Sequence, residues 1–241
     1  MRDTTAAYQR LQAFILREPS GRGCPICGLS QEAVTTYLDT LLWESSTDIN
    51  ANAMFTASLG FCGRHSRGLL DFGGQRLAAA VVERAALLAA IRRLPELAAA
   101  TPPATARFRL WPPRPQVNAR PGEHSDLPCD IATCPACVRQ ANEEARGIEV
   151  LLKHLEEFAG PLPVAGGLCM PHFVRVISAA SVAQREVLLA IEQRVWTELA
   201  ANLEEFIDKH KEYHHGEPIS EPARLAVERT IASLTGEYPV R

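Results

Sequence analysis

The chain has 241 residues, of which 46% are apolar and 22% charged, enough to bury one or two cores and too balanced for a disordered or fibrous protein. A formal net charge of -3 argues against a general binder of nucleic acid or anionic membrane. Seven Cys is an odd number for a disulfide framework, which points to a reducing, cytoplasmic setting where clustered Cys serve metal binding or catalysis.

In chain order, a helix is expected over about residues 5–17; its Arg10 and Gln12 interrupt any secretory leader. Cys24-Pro25-Ile26-Cys27 follows, and then a helix with the apolar stripe Val34, Leu38, Leu41 and Leu42. Gly60-Phe61-Cys62-Gly63-Arg64-His65 comes next, with a short apolar turn broken at Gly73-Gly74. A helix through Leu77, Val81, Ala85, Leu88 and Ile91 is expected to stop near Pro95. Seven Pro between residues 101 and 128 exclude helix or central strand there and read as a linker, draped on the helices through Phe108, Leu110 and Trp111.

The pattern then repeats. Cys134-Pro135-Ala136-Cys137 opens a helix with Ala141, Ala145, Ile148, Leu152, Leu155 and Phe158 on its stripe, stopped by Gly160-Pro161. Gly167-Leu168-Cys169-Met170-Pro171-His172 follows, and then a long helix carries Leu188, Ile191, Val195, Leu199, Leu203 and Phe206. The longest uncharged stretch, residues 159–174, holds three Pro and three Gly and cannot span a membrane. A last helix is expected with Ser220 as N-cap, Pro222 in its first turn and Gly236 closing it. No alternating strand pattern occurs. The expected fold is all-α: two pseudo-repeated helical units, each with a Cys3His zinc knuckle, joined by a Pro-rich linker. The boundaries are residues 1–100 for the first unit, 101–130 for the linker, 131–212 for the second unit and 213–241 for a tail with one helix.

The duplicated element is CPxC, a gap, then G-(apolar)-C-x-x-H. The gaps are 34 and 31 residues, and six of the seven Cys fall on the repeat. Cys side chains two residues apart reach one ion from a tight turn, and CxxH supplies the remaining two donors. Three thiolates and an imidazole around a tetrahedral ion form a structural zinc set with no position open for catalytic water. The candidate metal ligands are therefore Cys24, Cys27, Cys62, His65, Cys134, Cys137, Cys169 and His172, for two zinc ions. Spacing leaves open whether they pair within a copy or across copies. Each filled site adds one divalent ion and three thiolates, a change of -1, so two sites take -3 to about -5.

Other readings of these Cys are weaker. Buried inert thiols do not explain two copies of a four-residue set, and a CPxC redox motif belongs beside a βαβ pattern that is not visible. Cys129, Cys134, Cys137 and Cys169 follow the order of plant-type [2Fe–2S] ligation, so iron–sulfur is the alternative cofactor, but Cys129 has no counterpart in the first copy. His210, His214 and His215 read as a solvated helix end, and Glu212 with His215 as a lone E-x-x-H. Arg92-Arg93, Glu143-Glu144 and Glu156-Glu157 read as exposed faces.

The paired CPxC and (G)FCxxH motifs, carried by the eight candidate ligands and extending to Phe206, Lys209 and Tyr213, resemble an uncharacterised bacterial domain-of-unknown-function family. The resemblance supports metal binding and implies no activity. Three functions are weighed: a non-enzymatic interaction scaffold held by two zinc ions, with an unknown protein partner and no nucleic acid, membrane or assigned small-molecule ligand; a thiol-based redox or metal-responsive regulator; and an enzyme. The sequence offers no nucleophile–base pair for the last, and the first is the expected function.

Overall fold

A computed structural model describes residues 2–16, 23–44, 49–70, 75–100, 134–211 and 217–236. Most of the described residues are helical, with no strand among them, as expected for an all-α chain. They form two compact units: residues 1–32 with 142–241, and residues 33–141. The Pro-rich linker, including Phe108, Leu110 and Trp111, lies outside the described residues.

The first unit holds α1 (Arg2–Leu16), the start of α2 (Pro25–Glu44), most of α6 (Pro135–Lys153), and α7 (Leu155–Phe158). It continues with α8 (Pro161–Ala165), α9 (Met170–Ala179), α10 (Val182–Lys209), α11 (Glu221–Arg224) and α12 (Ala226–Thr235). Its core joins Leu11 and Ile15 of α1, Ile26 of α2, Val150 and Leu151 of α6, Val176 of α9, and Leu188 and Ile191 of α10. Each such fully buried side chain contributes on the order of 1.5–3 kcal/mol. Ser181 starts α10 with a capping box: its hydroxyl accepts from the Gln184 N–H, and the Gln184 side chain accepts from the Ser181 N–H.

The second unit holds the rest of α2, the start of α6, and α3 (Ile49–Ala57), α4 (Gly63–Leu70) and α5 (Arg76–Ala100). Its core gathers the α2 stripe Val34, Leu38, Leu41 and Leu42 with Phe55, Phe61, Leu69, Val82 and Ala86. Phe55 and Phe61 meet edge-on at 4.8 Å.

Four local expectations are corrected. The stripe on α5 is rotated: Val82, Ala86 and Ala89 are buried, whereas Leu77, Val81, Leu88 and Ile91 are exposed. That helix is apolar on nearly every side, so periodicity does not choose a face. Pro95 lies inside α5 and does not end it. The carbonyl of Ile91 loses its partner there, and Ile91 is half-exposed, within reach of water. On α6, Ala141 and Ala145 are exposed while Glu143 and Glu144 are buried. Glu143 bonds Arg10 at 3.2 Å and Arg146 at 3.1 Å, so its charge is paired as burial requires. The helix breaks at His154 rather than at Gly160-Pro161, which instead lead into α8.

The C-terminal helix forms as two pieces split at Leu225. The Ser220 hydroxyl accepts from the Ala223 N–H at 3.3 Å, and Gly236 ends the second piece in the left-handed region at φ 79°.

Candidate metal centre

Each motif pair sits at a helix N-terminus. Cys24, Cys62, Cys134 and Cys169 immediately precede α2, α4, α6 and α9, and Cys27, His65, Cys137 and His172 lie in the first turns. The leading Cys carbonyl closes that turn in each case, accepting at 3.1 Å from Gly28, 2.9 Å from Ser66, 3.1 Å from Val138 and 2.7 Å from Phe173. Residues three apart on a helix share a face, so both donors of a pair point the same way. The partial positive charge of the helix N-terminus favours thiolate there.

The turns before Cys62 and Cys169 are built alike. Leu59 and Gly60 take φ of 54° and 97°, and Gly166 and Gly167 take 107° and 69°. Two successive left-handed residues reverse the chain so that the Cys faces inward. Buried Ser58 ties the first turn, donating to the carbonyl of Gly60 at 2.8 Å. In the second, the Leu168 N–H donates to the Glu192 carboxylate at 2.6 Å. Glu192 is 1% exposed, and burial pushes its carboxyl up to about 8. A Cβ on Gly167 would lie 2.8 Å and 2.9 Å from the Glu192 oxygens. Gly167→Ala is therefore expected to cost about 1–3 kcal/mol, read as a lower thermal midpoint, because strain and clash act together.

Tertiary structure joins the pairs across copies. Cys24 and Cys27 of the first copy meet Cys169 and His172 of the second, and Cys62 and His65 meet Cys134 and Cys137. In each quartet the donor atoms all lie within 4.8 Å of one another, so each can hold a metal ion. In the first, His172 Nδ1 is 3.4, 3.2 and 3.1 Å from the sulfurs of Cys24, Cys27 and Cys169. In the second, His65 Nδ1 is 3.4, 3.6 and 3.4 Å from those of Cys62, Cys134 and Cys137. Seven of the eight are buried, Cys137 being partly exposed.

The protonation of these groups is crowded. Accepting from Cys24 and Cys27 holds the Cys169 thiol far below its usual range, and the same bond to Cys169 holds Cys27 far above it. Cys134 is lowered to about 3 by its bond from Cys137, whose own thiol is raised. Burial opposes a charge on His172, but bonding to Cys169, Cys24 and Glu144 pushes it up to about 12. Three thiols at such range cannot all ionise without a counter-charge, and a divalent cation supplies one.

The chain matches the model of a family of unknown function, DUF6062, over residues 13–241. It belongs to that family. Neither the curated proteins nor the solved structures contain a match to this DUF6062 chain.

All eight sequence-derived ligand candidates fall in the two quartets. The plant-type iron–sulfur order is not formed, because Cys169 sits in a different quartet from Cys134 and Cys137. Cys129, Glu212, Tyr213, His214 and His215 lie outside the described residues. His210 caps α10, with its Nδ1 2.7 Å from the Phe206 carbonyl and its ring 4.2 Å from that of Phe206. Glu144, read from sequence as exposed, lies against His172, with Oε1 3.6 Å from Nε2. Its place four residues before the buried Ile148 was the available signal, since residues four apart on a helix share a face. Among the described residues, no helix is long and apolar enough to cross a membrane.

Proposed function

We propose that the chain is a non-enzymatic scaffold for protein interaction, held by two structural Cys3His zinc ions. The observation that carries this reading is the convergence of two three-sulfur, one-nitrogen quartets. Zinc bonds of about 2.3 Å to sulfur and 2.0–2.1 Å to nitrogen give a tetrahedron with edges of roughly 3.5–3.8 Å. The Cys27–Cys169 and Cys62–Cys137 sulfur separations of 3.6 Å and 3.7 Å fall in that range. The nitrogen–sulfur separations of 3.4–3.6 Å around His65 and 3.1–3.4 Å around His172 lie at or below its lower end. Four protein donors close the shell, which suits a structural ion and leaves no place for a reacting water. When bound, the zinc supplies charge neutralisation and a fixed link between helix ends. The chain's own residues present the donors and exclude solvent from them.

The six described Cys are free of disulfides, which supports a reducing compartment such as the cytoplasm. The exposed apolar side chains Leu77, Val81 and Ile91 on α5 support a protein partner, and the acidic net charge disfavours nucleic acid.

Metal analysis of the untagged protein with an absorption spectrum tests the reading. Two zinc ions per chain and no visible absorption are expected. Stoichiometric iron with visible bands would replace zinc, and a metal-free folded chain would end the proposal. For the partner, Leu77→Glu with Ile91→Glu is expected to abolish capture while leaving zinc content unchanged. Capture unaffected by the pair would remove α5 from the interaction.

A further inference from the structure

The two quartets share a donor set but not their surroundings. His172 offers Nδ1 to the three sulfurs, and its Nε2 faces a carboxylate oxygen of Glu144 at 3.6 Å. That carboxylate is buried, on α6, and its other oxygen is paired with Arg175 of α9. Glu144 is no part of either motif. It stands ten residues after Cys134 (144 less 134), and the residue ten after Cys24 is Val34. Val34 is buried in the apolar core of the second unit, and its side chain has no atom that can accept from an imidazole. Among the described residues no carboxylate pairs with His65. The donors at the first quartet are all buried, whereas Cys137 at the second is partly open to solvent.

A carboxylate behind a ligating imidazole fixes the tautomer, with the proton on the far nitrogen and the lone pair on the donor nitrogen. It also raises the donor's basicity, and losing such a partner costs about 10–100-fold in metal affinity. We propose that Glu144 is a positioning residue for His172 that makes the Cys24–Cys27–Cys169–His172 site the tighter of the two. The Cys62–His65–Cys134–Cys137 site is then the one that releases its ion first. The inference rests on the metal reading above and adds an order of loading and release to it.

The test uses the full chain loaded with two zinc equivalents, checked by metal analysis. It is challenged with graded EDTA and labelled with N-ethylmaleimide, and peptide mass spectrometry reads which Cys react. At the chelator concentration that removes the first ion, Cys62, Cys134 and Cys137 are expected to label while Cys24, Cys27 and Cys169 stay protected. E144Q is expected to lower the affinity of the first site 10–100-fold and shift the His172 imidazole 15N resonances, with those of His65 unmoved. R175M breaks the ion pair but keeps the carboxylate, and should leave the protection in place. Cys24, Cys27 and Cys169 labelling first or together with the others would overturn the proposal without any variant. So would an E144Q chain with unchanged protection, or an R175M chain that loses as much as E144Q. A chain that holds no metal at the outset refutes the metal reading itself and is recognised before the challenge begins.

Discussion

Cys27→Ser is expected to lower the zinc content from two ions per chain to one, and adding His172→Ala to the same chain to remove no more. Cys27→Ser with Cys62→Ser should instead leave none. The reason is the partition of donors: Cys27 and His172 are 145 residues apart in sequence but 3.2 Å apart in space, while Cys27 and Cys62 belong to different quartets. Groups that serve one ion act as a unit, so their losses do not add. The stability changes should follow the same pattern, with the first pair sub-additive and the second close to additive. Zinc content and thermal midpoints of these three chains and of the His172→Ala and Cys62→Ser single variants check this. Pairing within copies predicts the reverse, with the Cys27–Cys62 pair sub-additive.

Stripping both ions with a strong chelator is the second large effect. A structural zinc contributes about 10–16 kcal/mol in small domains, comparable with or above the 5–15 kcal/mol total of an ordinary fold. The second unit should fail first. Its described core rests on α2, α4, α5 and two aromatic rings, joined at the start of α6 by Ala136, and its quartet ties Cys62 to Cys134 and Cys137. The first unit keeps a broader apolar core from α1, α6, α9 and α10. Hydrogen exchange after metal removal should therefore rise across residues 49–70 and 75–100 before residues 148–195. Unchanged protection in both would show that neither site stabilises its unit.

The helices and the ligand candidates were legible wherever one local rule decided them. The α2 stripe, Val34 to Leu42, and the α10 positions Leu188, Ile191 and Val195 are buried as periodicity predicts, because polar residues mark the other face. The Cys/His spacing identifies each pair because an i, i+3 relation at a helix start is a local matter. Which pairs meet is not local, and nothing in the spacing prefers Cys169 over Cys62 as the partner of Cys27. Glu143, Glu144 and Glu192 were missed for a related reason. A buried carboxylate is tolerated only with partners, and these partners come from elsewhere: Arg10 for Glu143, His172 and Arg175 for Glu144, and the Leu168 amide for Glu192. On α5 the failure was one of contrast, since Leu77, Val81, Val82, Ala86 and Leu88 leave no polar face to set against an apolar one.

Anomalous diffraction at the zinc absorption edge tests the cross-copy quartets most directly. Two peaks per chain are predicted, one at bonding distance from Cys24, Cys27, Cys169 and His172, the other from Cys62, His65, Cys134 and Cys137. A peak that joins Cys24 and Cys27 to Cys62 and His65, or a crystal of zinc-supplemented protein with no peak at all, would contradict the account.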